Sequence, residues 1–247
     1  MRKFNPHQTL LILLGIGFAF LFVGCKKEEE EEIIIERSTV NDVQGNTYAT
    51  VKIGDQWWMA ENLRTTTFND STPLLYIERT DGADTTWTQN SVPAYSYIND
   101  SISGLLYQAS VITDTKNIAP IGWHVATDED WKKLEATIGM SSDDIQQTGW
   151  RGDEEADLIT AKYNVGWPAN DQDNGLYGLD KYGFDAIPSG CRGTDGRTNI
   201  QNNTAFWWAD TQNGTETYYR YIDSQSKKIF RQLIHSSYGM SIRCVKD

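Results

Sequence analysis

Cysteine is scarce, with 3 in 247 residues, at Cys25, Cys191 and Cys244, and no Cys-x-x-Cys pair among them. That excludes a disulfide-dense scaffold and a thiolate zinc knuckle. Histidine is as rare, again 3. His7 lies near the start, which leaves His124 and His235 and no His-Glu-x-x-His segment for a zinc hydrolase. A phosphate-cradling glycine loop is missing too. Basic residues are outnumbered, 22 Lys and Arg against 34 Asp and Glu, and the net charge of −12 disfavours nucleic acid or an anionic membrane surface as partner. The chain has a single long apolar run, Leu10 to Val23. It is shorter than the roughly 20 residues a bilayer-spanning helix needs, and behind Met1-Arg2-Lys3 it has the form of a signal peptide. What the chain has in quantity is aromatic: 12% of residues, 9 of them Trp, within 39% hydrophobic overall. With 20 Gly and 6 Pro, this describes a globular, turn-rich protein with a dense core.

Leu21-Phe22-Val23-Gly24-Cys25 has the form of a bacterial lipobox, with Phe22 in place of the more usual leucine. Cys25 is therefore the expected lipidation site and residues 1–25 the leader; several acyl chains anchor stably where one does not. An ordinary cleaved leader with an incidental cysteine is the alternative. Residues 26–38 open with Lys26-Lys27 and a run of glutamates, a self-repelling spacer. Its place after the lipid cysteine resembles the acidic export tag of surface lipoproteins in Bacteroidetes-type bacteria. The expected location is the outer membrane, facing the cell exterior; a plain tether facing the periplasm is the other reading.

The globular part is expected over 39–247, organised around Gly122 to Gly139. Trp123 and Val125 alternate with His124 as in a half-buried strand. Thr127 is the N-cap of the helix that follows, with a Thr-x-x-Asp capping box and three acids in the first turn. Trp131, Leu134 and Ile138 share one face, Lys132 and Lys133 face water, Glu129 pairs with Lys133, and Gly139 stops the helix. Thr47–Ile53 and Gln56–Ala60 form a hairpin about Gly54-Asp55. Tyr95–Ile98 and Gly104–Ala109 are aromatic-bearing segments on either side of an Asn99-Asp100 turn; further strands are read at Phe184–Pro188, Thr204–Ala209, Thr217–Ile222 and Lys228–Ile234, with one strand over Tyr238–Val245. Short helices are read at Ser141–Gln147 and Asp153–Lys162.

Four blocks then carry a resemblance: DVQGNTYATVKIGDQWWMAENL from Asp42, GWHVATDEDW from Gly122, GFDAIPSGCR from Gly183 with Phe206 to Thr211, and YGMSIRCVKD from Tyr238. In these the chain resembles the FISUMP family, named for the major paralogous domain of Fibrobacter succinogenes. The resemblance spans essentially everything after the tether. It implies an α+β single domain of C-type-lectin-like fold, with mixed, mostly antiparallel sheets, one or two main helices, and first and last strands paired. It also implies a secreted or lipid-anchored surface protein. Members often carry a cysteine where Ala119 stands, so the partner of Cys244 must be sought elsewhere, and Cys191 remains. A Cys191–Cys244 disulfide is expected, which could stabilise by about 4 kcal/mol; two buried free thiols are the alternative.

Material for catalysis is thin. His124 reads as a packed or half-exposed structural residue, and Ser189-Gly190-Cys191 has no identifiable activating neighbour. Nothing singles out an opposed carboxylate pair for glycoside hydrolysis. Asp171-Gln172-Asp173-Asn174-Gly175 falls short of a calcium loop, its glycine one place early and Tyr182 where a bidentate Glu is needed. No metal and no cofactor is expected. Binding has more support. Lectin-like folds hold long loops on a rigid sheet, and planar indoles, carboxylates and amides are the groups that hold sugars. The candidates are Arg192, Asp195, Arg197, Asn199, Asn202, Asn203, Trp208 and Asp210, together with the turn Gln212–Glu216. Trp207 and Trp208 point to opposite strand faces, so one is expected in the core; both being structural is the plainer reading. The calcium-lectin triplet Glu-Pro-Asn is missing, so calcium-mediated sugar binding is not supported. The expectation is a non-catalytic binding or adhesion module for glycans. A structural protein docking other proteins is the alternative, with an uncharacterised hydrolase behind it.

Overall fold

The computed structural model describes residues 33–79, 82–97, 104–162, 166–168, 176, 178–199 and 203–247. Cys25, the leader, residues 26–32, Asn202 and the Asp171–Gly175 loop lie outside them. In chain order the first elements are β1 (Arg37–Asn41), β2 (Thr47–Ile53), β3 (Gln56–Met59), β4 (Leu75–Tyr76), α1 (Thr85–Thr88), β5 (Ala94–Tyr97) and β6 (Leu105–Gln108). Next come α2 (Ala109–Ile112), β7 (Trp123–Val125), α3 (Asp128–Thr137), α4 (Ser142–Gln146), β8 (Gly149–Arg151) and α5 (Glu155–Ile159). The rest is strand: β9 (Cys191–Arg192), β10 (Thr198–Asn199), β11 (Thr204–Asn213), β12 (Glu216–Asp223), β13 (Ile229–His235), β14 (Gly239–Met240) and β15 (Cys244–Lys246).

The strand–helix corner forms as the sequence dictates. Thr127 Oγ1 accepts from Asp130 N at 3.1 Å, and Asp130 Oδ2 accepts from Thr127 N at 3.0 Å, a complete capping box. Trp131, Leu134 and Ile138 are buried on one face, and Gly139 takes φ +110° after the helix. Gly54, in the β2–β3 turn at φ +59°, lies so close to α3 that an added Cβ would sit 2.7 Å from Thr137 Oγ1. The surface pairs differ from expectation. Lys132 reaches Glu129 at 2.7 Å and Asp128 at 3.4 Å with its side chain only 15% exposed, and Lys133 lies 3.9 Å from Asp130.

Three sheets assemble around this corner: β1-β2-β3-β15-β7, β10-β9-β14-β6-β5-β4 and β11-β12-β13-β8. Their ladders are antiparallel except β4 on β5. The result is mixed, sheet-dominated and α+β in class. β1 pairs with β2 from Arg37 onward, so regular structure begins two residues ahead of the Thr39 boundary. Trp58, Trp131, Phe184 and Trp207 meet in one cluster, with ring centroids 5.1 to 6.2 Å apart, and Val245 packs in the same core. Segments distant in sequence thus converge on α3.

Helix α3 is fastened to the third sheet by charges inside the protein. Glu135, fully buried, takes both Arg151 amino groups at 2.7 and 2.9 Å and Arg220 Nε at 2.6 Å. Asp128 takes Arg220 Nη1 at 2.8 Å and Arg231 through Nε at 2.8 Å and Nη2 at 2.6 Å. Arg220 and Arg231 are direct cross-strand neighbours. Two like charges there would repel, and the carboxylates between them remove the conflict.

Several expectations need correction. Tyr238–Val245 is two strands, because the chain crosses from one sheet to another: β14 joins β6 and β9, and β15 joins β3 and β7. Arg243 between them is buried, its guanidinium donating to Asn62 Oδ1, Met59 O, Phe184 O and Asp185 O at 2.7 to 3.0 Å. The last strand therefore pairs with β3 and not with the first. Phe184–Pro188 contributes a single bridge, Ala186 to Thr160. Trp207 and Trp208 are both 0% exposed, because β11 has a core on each side: Trp207 belongs to the α3 cluster and Trp208 to the one around Tyr107 and Met240. Cys191 and Cys244 are both buried free thiols. They share a hydrophobic cluster, β9 and β15 belong to different sheets, and no bond joins the two thiols.

Candidate functional site

The residues singled out from sequence divide among several places. Arg192 is fully buried, and its guanidinium serves the fold. It donates to Gly196 O, Ile77 O and Glu78 O at 2.8 to 3.1 Å and to Ser96 Oγ at 3.0 Å, pairs with Asp84, and lies 4.3 Å over the Trp87 ring. Trp208 is likewise closed off, its indole N–H donating to Tyr107 O at 2.7 Å. A ligand reaches neither, so both leave the set of candidate contacts. Asp195 shapes the β9–β10 turn, accepting from Arg197 N at 3.1 Å, and Arg197 extends outward at 65% side-chain exposure. Asn199 pairs with Cys191 in the ladder, and the Oδ1 of half-buried Asn203 is a buried atom without a hydrogen-bond partner. Asp210 lines a cavity.

That cavity, about 370 Å³, is walled by Thr113, Asp114, Asn117, His124, Asp210 and Gln212. A neighbouring one of about 380 Å³ shares Thr113 and Gln212 with it and continues past Gln108, Ser110, Thr215, His235, Ser236 and Ser237. Together they make one open groove between the α2 segment and the β11–β12 turn. Local chemistry holds its wall in place. Asn90 Nδ2 donates to Gln108 Oε1 at 2.9 Å, and Gln108 Nε2 donates to Trp87 O at 2.9 Å. Trp87 Nε1 donates to Ser237 O at 2.9 Å, and Ser236 Oγ to Thr215 O at 2.8 Å. Ser110 Oγ is buried and unpartnered, an orphan hydroxyl on the groove wall.

At one end His124 Nδ1 lies 2.8 Å from Asp247 Oδ1 and Nε2 lies 3.0 Å from Asp130 Oδ2. Only an imidazolium donates from both nitrogens. The Asp130 hydrogen bond, against the burial penalty and with Asp247 assisting, raises the His124 pKa. Asp130 moves the opposite way: burial pushes it up, but the His124 and Thr127 hydrogen bonds prevail and hold it at about 2. His124 is thus a clasp and not a free base. Asp210 is raised by burial, which the nearby His124 charge only partly offsets. At the other end His235 Nδ1 lies 2.8 Å from Ser237 Oγ. This is a contact within one turn; the described residues place no carboxylate on Nε2 to orient the ring as a hydrolytic triad requires. No group of three or more His, Cys, Asp or Glu suited to a metal occurs among the described residues.

Sequence reasoning found Asp210 and the Gln212–Glu216 turn but missed Gln108, Ser110, Thr113 and His235. Gln108, Ser110 and Thr113 share one short stretch whose polar side chains form no recognisable motif, and His235 comes from a segment far along the chain. No curated protein and no solved structure gives a match to the chain. Residues 51–246 match the Fibrobacter succinogenes major domain, and the chain belongs to that family.

Proposed function

We propose that this protein is a lipid-anchored, surface-displayed recognition domain of lectin-like fold that binds neutral glycans without catalysis. The observation that carries the reading is the groove. Hydroxyl and amide side chains from three separate segments converge on one concave surface: Gln108, Ser110, Thr113, Gln212, Thr215 and Ser236. Such groups donate and accept in turn, which suits a polyhydroxylated ligand, and Thr113, Thr215 and Ser236 lie on connections between elements, the usual location of recognition. The lipid anchor at Cys25 and the outward-facing position rest on the lipobox and the acidic tether. A glycan array probed with the protein tests the reading. Binding is expected with and without EDTA, and Gln212→Ala with Thr215→Ala should weaken it at least tenfold. Silence across the array, or binding lost with EDTA, would overturn it.

A second reading, docking of another protein, draws on one observation. Leu75, Tyr76, Val92 and Tyr97 are each 41 to 48% exposed, near the edge strand β4. Co-sedimentation with extracellular proteins in place of glycans would favour it.

A further inference from the structure

Trp150 stands outside the residues that wall the groove. The structure puts it in β8, at the edge of the four-stranded sheet, with 43% of its surface open. The other described tryptophans are buried or half-buried. Cross-strand register lines up Phe206 with Tyr221, Tyr221 with Phe230, and Phe230 with Trp150, one aromatic row crossing all four strands. Phe206 and Tyr221 lie parallel within 10° at 4.4 Å and cover each other's faces. Trp150 ends the row. It leans on Tyr221 at 5.1 Å and on Phe230 at 5.2 Å, so one side of the indole is braced, and no third ring among the described residues lies against it. Gln232, two residues along β13 from Phe230, shares its face, and Lys228 immediately precedes the strand; both are exposed. Lys228 Nζ lies 3.7 Å from Asp153, which leaves the fringe polar and close to neutral.

We propose that the open face of Trp150 is a carbohydrate platform that stacks one pyranose ring of a neutral oligosaccharide. A sugar with mostly equatorial substituents presents an apolar C–H face to a planar ring, while its hydroxyls reach the flanking amide, ammonium and carboxylate. The brace of Tyr221 and Phe230 fixes the indole beforehand, so little rotamer freedom is lost on binding. The size of the patch selects this occupant. One indole offers roughly 150–250 Å² in all, well short of the roughly 800 Å² per partner of a stable protein interface. The inference rests on the carbohydrate reading but not on the groove. The groove takes in the His235 end of β13 and the row crosses it at Phe230, five residues and about 17 Å away along the strand.

The test uses the full chain and linear hexaoses of glucose, xylose and N-acetylglucosamine. Iodide quenching of tryptophan fluorescence reports the exposed indole without any mutation, and a bound hexaose should reduce the quenchable fraction. In affinity electrophoresis Trp150→Ala should bind at least tenfold more weakly, and Trp150→Tyr should keep part of the affinity. Gln212→Ala should leave the iodide protection in place. If Trp150→Ala binds as the parent does while Gln212→Ala is weakened, this inference fails and the groove reading stands. If no hexaose binds or protects, both fail. Protection that rises with protein concentration alone, with a matching rise in sedimenting mass, would assign the face to a second copy and overturn the proposal.

Discussion

Replacing Glu135 with glutamine tests the buried charge network most directly. The parent cluster holds three guanidinium groups, Arg151, Arg220 and Arg231, against two carboxylates, Glu135 and Asp128. Glutamine keeps the shape but removes the charge, and it turns an N–H₂ toward arginine donors that need an acceptor. Removing one partner from a buried pair costs about 3–5 kcal/mol. Glu135 serves two arginines, so the upper part of that range is expected, or a fall in Tm of about 10 °C or more for a chain of this size. Urea unfolding followed by tryptophan fluorescence measures it. Arg151→Met in the Glu135→Gln background should recover part of the loss, with a coupling of about 1–3 kcal/mol. Acid sharpens the test. Burial would raise the Glu135 carboxyl, but Arg220 and Arg151 outweigh it and lower its pKa. Its contribution is complete above the ordinary carboxyl pKa of about 4.3 and disappears as pH falls through the lower folded value. The gap between parent and variant should therefore close in acid. A gap below about 1 kcal/mol at pH 7 would refute the argument that removing one partner strands a buried charge.

The His124 clasp should show the reverse pH dependence. With a raised folded pKa, its stabilisation is complete below about pH 6.5 and is lost as pH rises through the folded value, so His124→Gln should lower Tm near pH 5 and leave it unchanged at pH 9. Cys191, whose thiol burial pushes up to about 12, and Cys244, raised by burial further still, should resist alkylation in the native protein and label fully in guanidinium; mass spectrometry that finds them joined would contradict the free-thiol structure. Gly54→Ala should destabilise by about 1–2 kcal/mol for the left-handed backbone alone, and Thr137→Ala should rescue only the steric excess beyond it.

Much of the architecture was legible because its signals are local. The Thr127 cap, the β2–β3 hairpin and the Trp131–Ile138 face depend on residues within a few positions of each other. The charge network was not, since Asp128 and Glu135 look like solvated helix acids until Arg151, Arg220 and Arg231 arrive from strands. Tyr238–Val245 misled for a related reason: alternation describes a strand but not the sheet it joins, and the buried Arg243 marks a crossing that periodicity does not register. At the site, Asp210 and the following turn could be named in advance. Arg192 and Trp208 were misassigned because an arginine and an indole beside polar loops look available, and only packing reveals that Asp84, Trp87 and Tyr107 have already engaged them.

Strand β15 lies inside its sheet, with β3 on one side and β7 on the other. Ribosomes make residues 56–59 and 123–125 long before 244–246, so for most of synthesis two neighbouring strands present bare hydrogen-bonding edges with the slot between them vacant. Pairings so far apart in sequence form slowly, and unfilled edges invite strands from other chains. The nascent protein is therefore most prone to sticking before β15 emerges, and a holdase that shields that slot would raise the yield of native molecules more than one acting after β15 has paired.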